Sequence, residues 1–278
     1  MFSHISRSIA LVSRASKILL RIILGRIRVK TETEVADEQA GFRQGRWTRD
    51  KITNLRILMY KARKHQQPLC VCFVDFKTAF NSILHDKLWV TMMDMRYPLH
   101  LIDLLAKLFR KQLAKVKVAG TLSKWFHVKK GVRQGCVLSP YLFNILAKMV
   151  KTLDGFQGGL QFGGRITNLR YADDIILLAT SEVELQELVD RLNRVSRKYS
   201  LLINVDKTNV MASDGIACRI LIQNEQLEQV DTFVYLGSLI TEGGECTTEF
   251  RTINRGQASG ALPRGITPKI WKSHSIPI

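Results

Sequence analysis

A chain of 278 residues with 46% hydrophobic and 24% charged residues holds enough apolar material for a sizeable core and is too apolar for a disordered tail. Its 42 Lys and Arg against 24 Asp and Glu give a net charge of +18, which favours a polyanionic partner because each neutralised phosphate releases counterions; an anionic membrane surface and simple solubility are the alternatives. Five cysteines without a CxxC pair, six histidines without zinc-ligand spacing, and no uncharged apolar stretch near the roughly 18 residues of a membrane span argue against a disulfide scaffold, a zinc module and a membrane-spanning protein.

Residues 1–31 lack any acid and carry Arg7, Arg14, Lys17, Arg21, Arg26, Arg28 and Lys30 among serines and aliphatics, a composition shared with mitochondrial transit peptides. Within them, Ile18, Leu19, Ile22 and Ile23 form one face of a helix over residues 16–28. Residues 32–45 are polar and read as a loop. Residues 49–64 repeat apolar side chains at helical spacing and stop before Pro68. The apolar run 69–74 then suits a buried strand, with Cys70 and Cys72 on one face as reduced thiols. Helices are expected over 84–95 and 99–111, divided by Pro98, and short strands at 116–118 and 125–128 around Gly120. A further helix spans 141–153. Apolar strands at 169–172 and 175–179 flank Asp173 and Asp174, an amphipathic helix covers 182–199, and strands follow near 201–205, 220–222 and 233–236. Strands mixed irregularly with helices indicate an α+β chain.

Two features carry chemistry. Asp75 ends a buried strand, and Asp173-Asp174 sits between two more. A carboxylate at a buried strand end is costly unless its charge is compensated, and a divalent cation compensates it well. Taken singly, each is an ordinary turn residue, and an Asp-Asp pair is most often a solvated turn.

The order of the pieces is more specific. Phe73-Val74-Asp75-Phe76-Lys77-Thr78-Ala79-Phe80 resembles the first catalytic motif of reverse transcriptases, and Gly131 to Pro140 (GVRQGCVLSP) resembles their template-and-nucleotide motif. Tyr171-Ala172-Asp173-Asp174 resembles the catalytic hairpin. Leu201-Leu202-Ile203-Asn204 through Lys207-Thr208 is similar to the motif that follows it, and Tyr235-Leu236-Gly237-Ser238 to the primer-grip hairpin. Glu38 to Arg46 (EQAGFRQGR) resembles a fingers motif of the non-LTR, LINE-type retrotransposon branch, and Arg7 to Leu11 an early fingers motif that lies inside a longer protein, which weakens the transit-peptide reading.

The resemblance implies a right-hand polymerase fold with fingers and palm, an antiparallel palm sheet with helices packed on it, and a truncated thumb. Residues 1–68 would form part of the fingers. Residues 69–248 would form the palm, with a fingers segment inserted at about 96–130, and 249–278 would start the thumb. An upstream endonuclease and the first fingers strands would be missing. The implied activity is RNA-directed DNA polymerisation by two-metal nucleotidyl transfer, with an RNA template, a DNA primer and dNTP as partners, no membrane, and two Mg²⁺ ions, or Mn²⁺ in their place. With no secretion signal, the implied location is the nucleus or cytoplasm.

By the same resemblance Asp75 and Asp173 are the shared metal ligands, Asp174 a supporting acid, and the carbonyl of Phe76 a further ligand. Phe80 would lie under the incoming sugar and reject a 2′-hydroxyl; core packing is its alternative. Gln134 would border the nascent base pair, with Gly135 permitting close backbone approach. Arg7 and Arg43 would lie near the triphosphate, and Arg133 would reach phosphate or simply face water. Lys207 would protonate pyrophosphate, or with Thr208 only cap a turn. Departures from the family pattern are Asn81 where many relatives have Asp, and Ser200 where Gly is common, which strains a turn. Pro263 and Pro268 would interrupt thumb helices. A fragment that binds nucleic acid without catalysis is the competing function. A group II intron maturase would need a basic RNA-binding segment after the thumb.

Overall fold

A computed structural model describes residues 13–35, 38–118, 120–147, 153, 155–162 and 164–243. The expectations placed on Arg7 and on a thumb at 249–278 lie outside these residues. In chain order the elements are α1 (Arg14–Glu34), α2 (Thr48–Lys64), β1 (Cys70–Val74), α3 (Ala79–Ser82), α4 (His85–Asp94), α5 (Leu99–Arg110), β2 (Leu113–Ala114), β3 (Lys117–Val118), β4 (Thr121–Leu122), β5 (Phe126–His127) and α6 (Ser139–Ala147). They continue with β6 (Leu160–Gln161), β7 (Arg165–Ile166), β8 (Asn168–Tyr171), β9 (Asp174–Ala179), α7 (Glu182–Lys198), β10 (Asn209–Ala212), β11 (Leu221–Ile222), β12 (Glu225–Gln226), β13 (Glu228–Gln229), β14 (Thr232–Tyr235) and β15 (Ser238–Thr241).

The helices start and stop for local reasons. The Trp47 amide donates to Asp50 in the first turn of α2 (2.8 Å), and Lys61, Arg63 and Lys64 sit at its negative end. Ser181 caps α7 by accepting from the Glu184 amide, and the helix ends at Arg197 and Lys198. Ser200 follows with φ +61, while its own amide bonds to Arg197 O and that of Leu201 to Ser196 O. That is a Schellman closure, whose left-handed position glycine fills without strain, so the strain expected at Ser200 is present.

The centre is a five-stranded sheet in the order β13-β10-β1-β9-β8, antiparallel except for β10–β13. All of β1 is buried, because both faces of the sheet are covered. Cys70, Cys72 and Val74 face a core built from α1 and α4 to α7, including Ile27, Leu88, Leu105, Leu142 and Leu188. Val71 and Phe73 face a second core of Leu55, Leu58 and Met59 from α2 with Tyr235 and Ile240 of the β14–β15 hairpin. Cys70, Cys72 and Cys218 are buried free thiols. Among the described residues no helix is long and apolar enough to cross a membrane.

Several sequence expectations shift. α1 runs on to Glu34, into the expected loop. α6 begins at Ser139 and holds Pro140 in its first turn, where the missing amide costs nothing. The strand expected at 201–205 is replaced by a single bridge, Ile203 to Phe76, and a 3₁₀ turn at Val205–Lys207. β10, which lies directly beside β1, was not foreseen. The strands near Gly120 pair as β3–β4 and β2–β5 in a mostly exposed ribbon.

Upstream of α2, residues 38–40 lie along the outer strand β8. Gln39 forms a parallel bridge to Arg170, the Arg170 amide donates to Glu38 O, and the Ala40 amide donates to Arg170 O.

Candidate active site

The β1–β9 register pairs Val74 with Ile175, so Asp75, the residue after β1, stands across from Asp174 at the same end of the sheet. Tyr171 pairs with Asp174, and the hairpin between them is only Ala172-Asp173, with φ +56 at Ala172. A positive φ at the first of two loop residues suits the right-handed twist of a tight hairpin. All three carboxylates are half-buried.

Residues 203–208 hold Asp75 from its other side. Its amide donates to Thr208 Oγ1 (3.2 Å), its carbonyl accepts from the Asn204 amide (2.8 Å), and its Oδ2 accepts from Asn204 Nδ2 (3.2 Å). At the Phe76–Ile203 bridge the hydrogen bonds run from Lys77 N to Leu202 O and from Asn204 N to Asp75 O. In that arrangement the amide and carbonyl of Phe76 itself point away from Ile203, toward the β9 side. A cleft of about 450 Å³ opens beside these groups, with Asp75, Asp174, Asp206, Lys207, Phe233 and Tyr235 in its lining. Burial pushes the Tyr235 phenol above its ordinary pKa, the Asp174 charge adds to this, and its hydroxyl has no hydrogen-bond partner among the described residues.

Phe80 is half-buried and lies flat on Phe143, with centroids 4.9 Å apart and planes at 16°; Phe42 meets it edge-on at 6.1 Å. The Val132 amide donates to Phe80 O, and the Gly131 amide to Ile83 O, both at 2.7 Å. A Cβ on Gly131 would stand 2.8 Å from Asn81 Cα, so the two motifs meet only because Gly131 is glycine. Gln134 is half-buried and Gly135 is exposed with φ +90.

The arginines behave otherwise. Arg43 is held internally: Nε meets Glu32 Oε2 at 3.2 Å, Nη2 donates to Glu32 O, and Nη1 to Gln39 O. Arg133 donates to Gln112 Oε1 (3.2 Å) and lines a separate cavity with Leu19, Leu108 and Phe109. Lys207 is exposed at the rim of the main cleft, and Thr208 is buried as the acceptor for Asp75. Sequence reasoning left Asn204, Asp206 and Tyr235 out of the site. Asn204 and Tyr235 fall inside motifs already quoted, so position in the motif was the available signal.

Among the described residues no three His, Cys, Asp or Glu side chains form a ready metal cage. The donors at the sheet end are all oxygen: Asp75, Asp173, Asp174 and the outward carbonyl of Phe76. That set fits a hard divalent cation that takes one or two carboxylates and completes its shell from substrate phosphates and water.

Comparisons with known proteins bear on the family and the fold. The family described as reverse transcriptase (RNA-dependent DNA polymerase) matches residues 4–240. The Pol polyprotein of the type-1 retrotransposable element R2 of Nasonia vitripennis is 25% identical over 223 residues, covering 75% of this chain and 22% of that protein. The RNA-directed DNA polymerase from mobile element jockey of Drosophila funebris is 27% identical over 245 residues, covering 84% and 26%. The chain thus spans about a quarter of the length of these relatives. Apo telomerase from Candida tropicalis, truncated from its C-terminal domain, shares the fold, with a TM-score of 0.54 and 19% identity over 82% of this chain and 43% of that one. With the family match running through the strand-end acid, the Asp-Asp hairpin and the sheet that aligns them, the chain belongs to the reverse transcriptase family.

Proposed function

We propose that this chain is the polymerase core of a non-LTR retrotransposon reverse transcriptase, extending a DNA primer with dNTP on an RNA template. The observation that carries the reading is the convergence of Asp75 with the Asp173-Asp174 hairpin at one sheet end, beside a cleft with Lys207 on its rim. In this reading β1, β8, β9 and β10 belong to the palm, and residues at about 96–130 are a fingers segment inserted in it.

Two Mg²⁺ ions, or Mn²⁺, held by Asp75, Asp173, Asp174 and the Phe76 carbonyl, would supply activation of the primer 3′-hydroxyl and neutralisation of phosphate charge. Asn204 fixes one Asp75 oxygen and so orients the other. Phe80, held flat by Phe143, would give the incoming sugar a rigid floor against which a 2′-hydroxyl clashes. As the bond between the 3′-oxygen and the α-phosphorus forms, the hydroxyl proton passing to water, and the bond from the α-phosphorus to the β-phosphate oxygen breaks, Lys207 can donate its proton to the departing pyrophosphate. Gln134 and Gly135 border the nascent pair. The charge of +18 supports electrostatic capture of template and primer.

Primer extension on an RNA template tests this. The parent chain should extend with dNTP and divalent metal, and Asp75→Asn and Asp173→Asn should bind template normally yet extend nothing. A parent that binds template but never extends it would leave a binding-only fragment as the function.

A further inference from the structure

The tip of the Asp173-Asp174 hairpin is two residues long and carries a left-handed alanine. A left-handed residue other than glycine costs free energy and persists only where its surroundings over-determine it. Here the surroundings are one side chain from a distant part of the chain. Gln39 is 1% exposed. Its Nε2 donates to Ala172 O (3.1 Å), and its Oε1 accepts from Ala172 N (2.8 Å) and from Gly41 N (2.8 Å). Both backbone polar groups of the residue just before Asp173 are therefore bound by a single carboxamide.

The carboxamide is itself anchored. Its backbone lies along β8 through the Arg170 bridge, Lys51 Nζ donates to Glu38 O (2.6 Å), Arg43 donates to Gln39 O, and Asn144 Nδ2 donates to Gly41 O (2.9 Å). Gly41 makes the approach sterically feasible, since a Cβ there would fall 2.0 Å from Ala172 N. The chemistry requires an amide at position 39. A carboxylate would keep the two acceptor contacts but lose the donor to Ala172 O and set a third negative charge near two aspartates. An apolar isostere would leave both groups of Ala172 unpaired.

We infer that Gln39 is a positioning residue for the polymerase site: it clamps the Ala172 peptide and thereby fixes where Asp173 and Asp174 present their carboxylates. This rests on the polymerase reading for its kinetic consequence but not for the clamp itself, and the two can be tested apart.

The test uses the full chain with Gln39→Met, which keeps length and removes all three hydrogen bonds, and Gln39→Glu, which removes only the donor. In Gln39→Met, hydrogen exchange at the Ala172 amide should accelerate about tenfold or more while the Leu177 amide inside β9 keeps its protection. In extension assays kcat should fall about 10- to 100-fold, as for a displaced catalytic group. The dNTP KM and template affinity should hold within about twofold, and the Mg²⁺ needed for half-maximal rate should rise several-fold. Gln39→Glu should show the same split more mildly. Unchanged Ala172 exchange would overturn the clamp. Unchanged kcat and Mg²⁺ requirement with only a lowered Tm would overturn the positioning role and leave Gln39 as packing. Unfolding of both variants would make it a folding determinant, also against the proposal. If the parent chain never extends a primer, the polymerase reading fails, while the exchange arm and Mn²⁺ binding by calorimetry, weaker in Gln39→Met if the clamp sets the carboxylates, still decide the role of Gln39.

Discussion

Asn204 Nδ2 donates to Oδ2 of Asp75 across 3.2 Å, from a segment that bridges the chain just past β1 at Phe76–Ile203. The donor thus comes from a tight turn, stiffened by Lys207 N and Thr208 N bonding to Asn204 O. Asn204→Ala should lower the extension rate and raise the Mg²⁺ requirement with little change in template affinity. A hydrogen bond to a charged group is worth about 1.5–3 kcal/mol when buried, so at this half-buried site a stability loss of about 1 kcal/mol is expected in urea unfolding. An extension rate equal to the parent's would remove Asn204 from the site.

Phe80 is held between Phe143 and Phe42. Phe80→Ala should raise ribonucleotide incorporation and, being half-buried, cost about 2 kcal/mol of stability, below the 3–5 kcal/mol of a fully buried Phe. Competition between dNTP and rNTP in single-nucleotide extension measures the first, and urea unfolding the second. Unaltered discrimination in an active Phe80→Ala chain would return Phe80 to a packing role.

Ser200 occupies the left-handed position that closes α7. Ser200→Gly should stabilise the chain by about 0.5–1 kcal/mol, because the left-handed penalty of a side chain exceeds the added freedom of glycine in the unfolded state. The urea midpoint should rise at constant slope, with activity unchanged.

Lys51 is buried, and burial, reinforced by Arg46, lowers its pKa from 10.5 to about 8. The folded chain therefore holds this proton less tightly than the unfolded chain does. Between pH 8 and 10.5 the unfolded state binds more protons, so Lys51 makes stability rise with pH across that window. Below pH 8 the cost of the buried charge is fully present. Unfolding free energies of the parent and Lys51→Met, compared from pH 7 to 10.5, should differ by this slope; parallel profiles would contradict the buried-charge account.

What the sequence made legible follows from how local each signal is. Asp75 and the Asp173-Asp174 turn were visible because each sits at the end of an apolar run, and α2 and α7 because their apolar spacing and end charges are complete within one segment. β10 was not, since Asn209–Ala212 is four residues long and owes its burial to distant parts of the chain, with β1 beside it and a core on each face. Alternation at Leu201, Ile203 and Val205 imitated a strand, but Leu201 belongs to the closure of α7 and Val205 to the 3₁₀ turn. The internal pairing of Arg43 with Glu32 was hidden for a similar reason: the loop expected at 32–45 is helical through Glu34, which sets Glu32 within reach.

The segment over residues 38–40 has a consequence for solubility. An outer strand with free amides and carbonyls recruits strands from other molecules. β8 is the outer strand on one side, but at Arg170 its outward groups are occupied by Glu38 and Ala40; on the other side β13 spans only Glu228–Gln229. The sheet therefore offers neighbours little edge to extend. Because Gly41 has no room for a Cβ beside Ala172, a larger residue there would lift the segment and uncover β8. The first sign of such a change would be self-association of the chain.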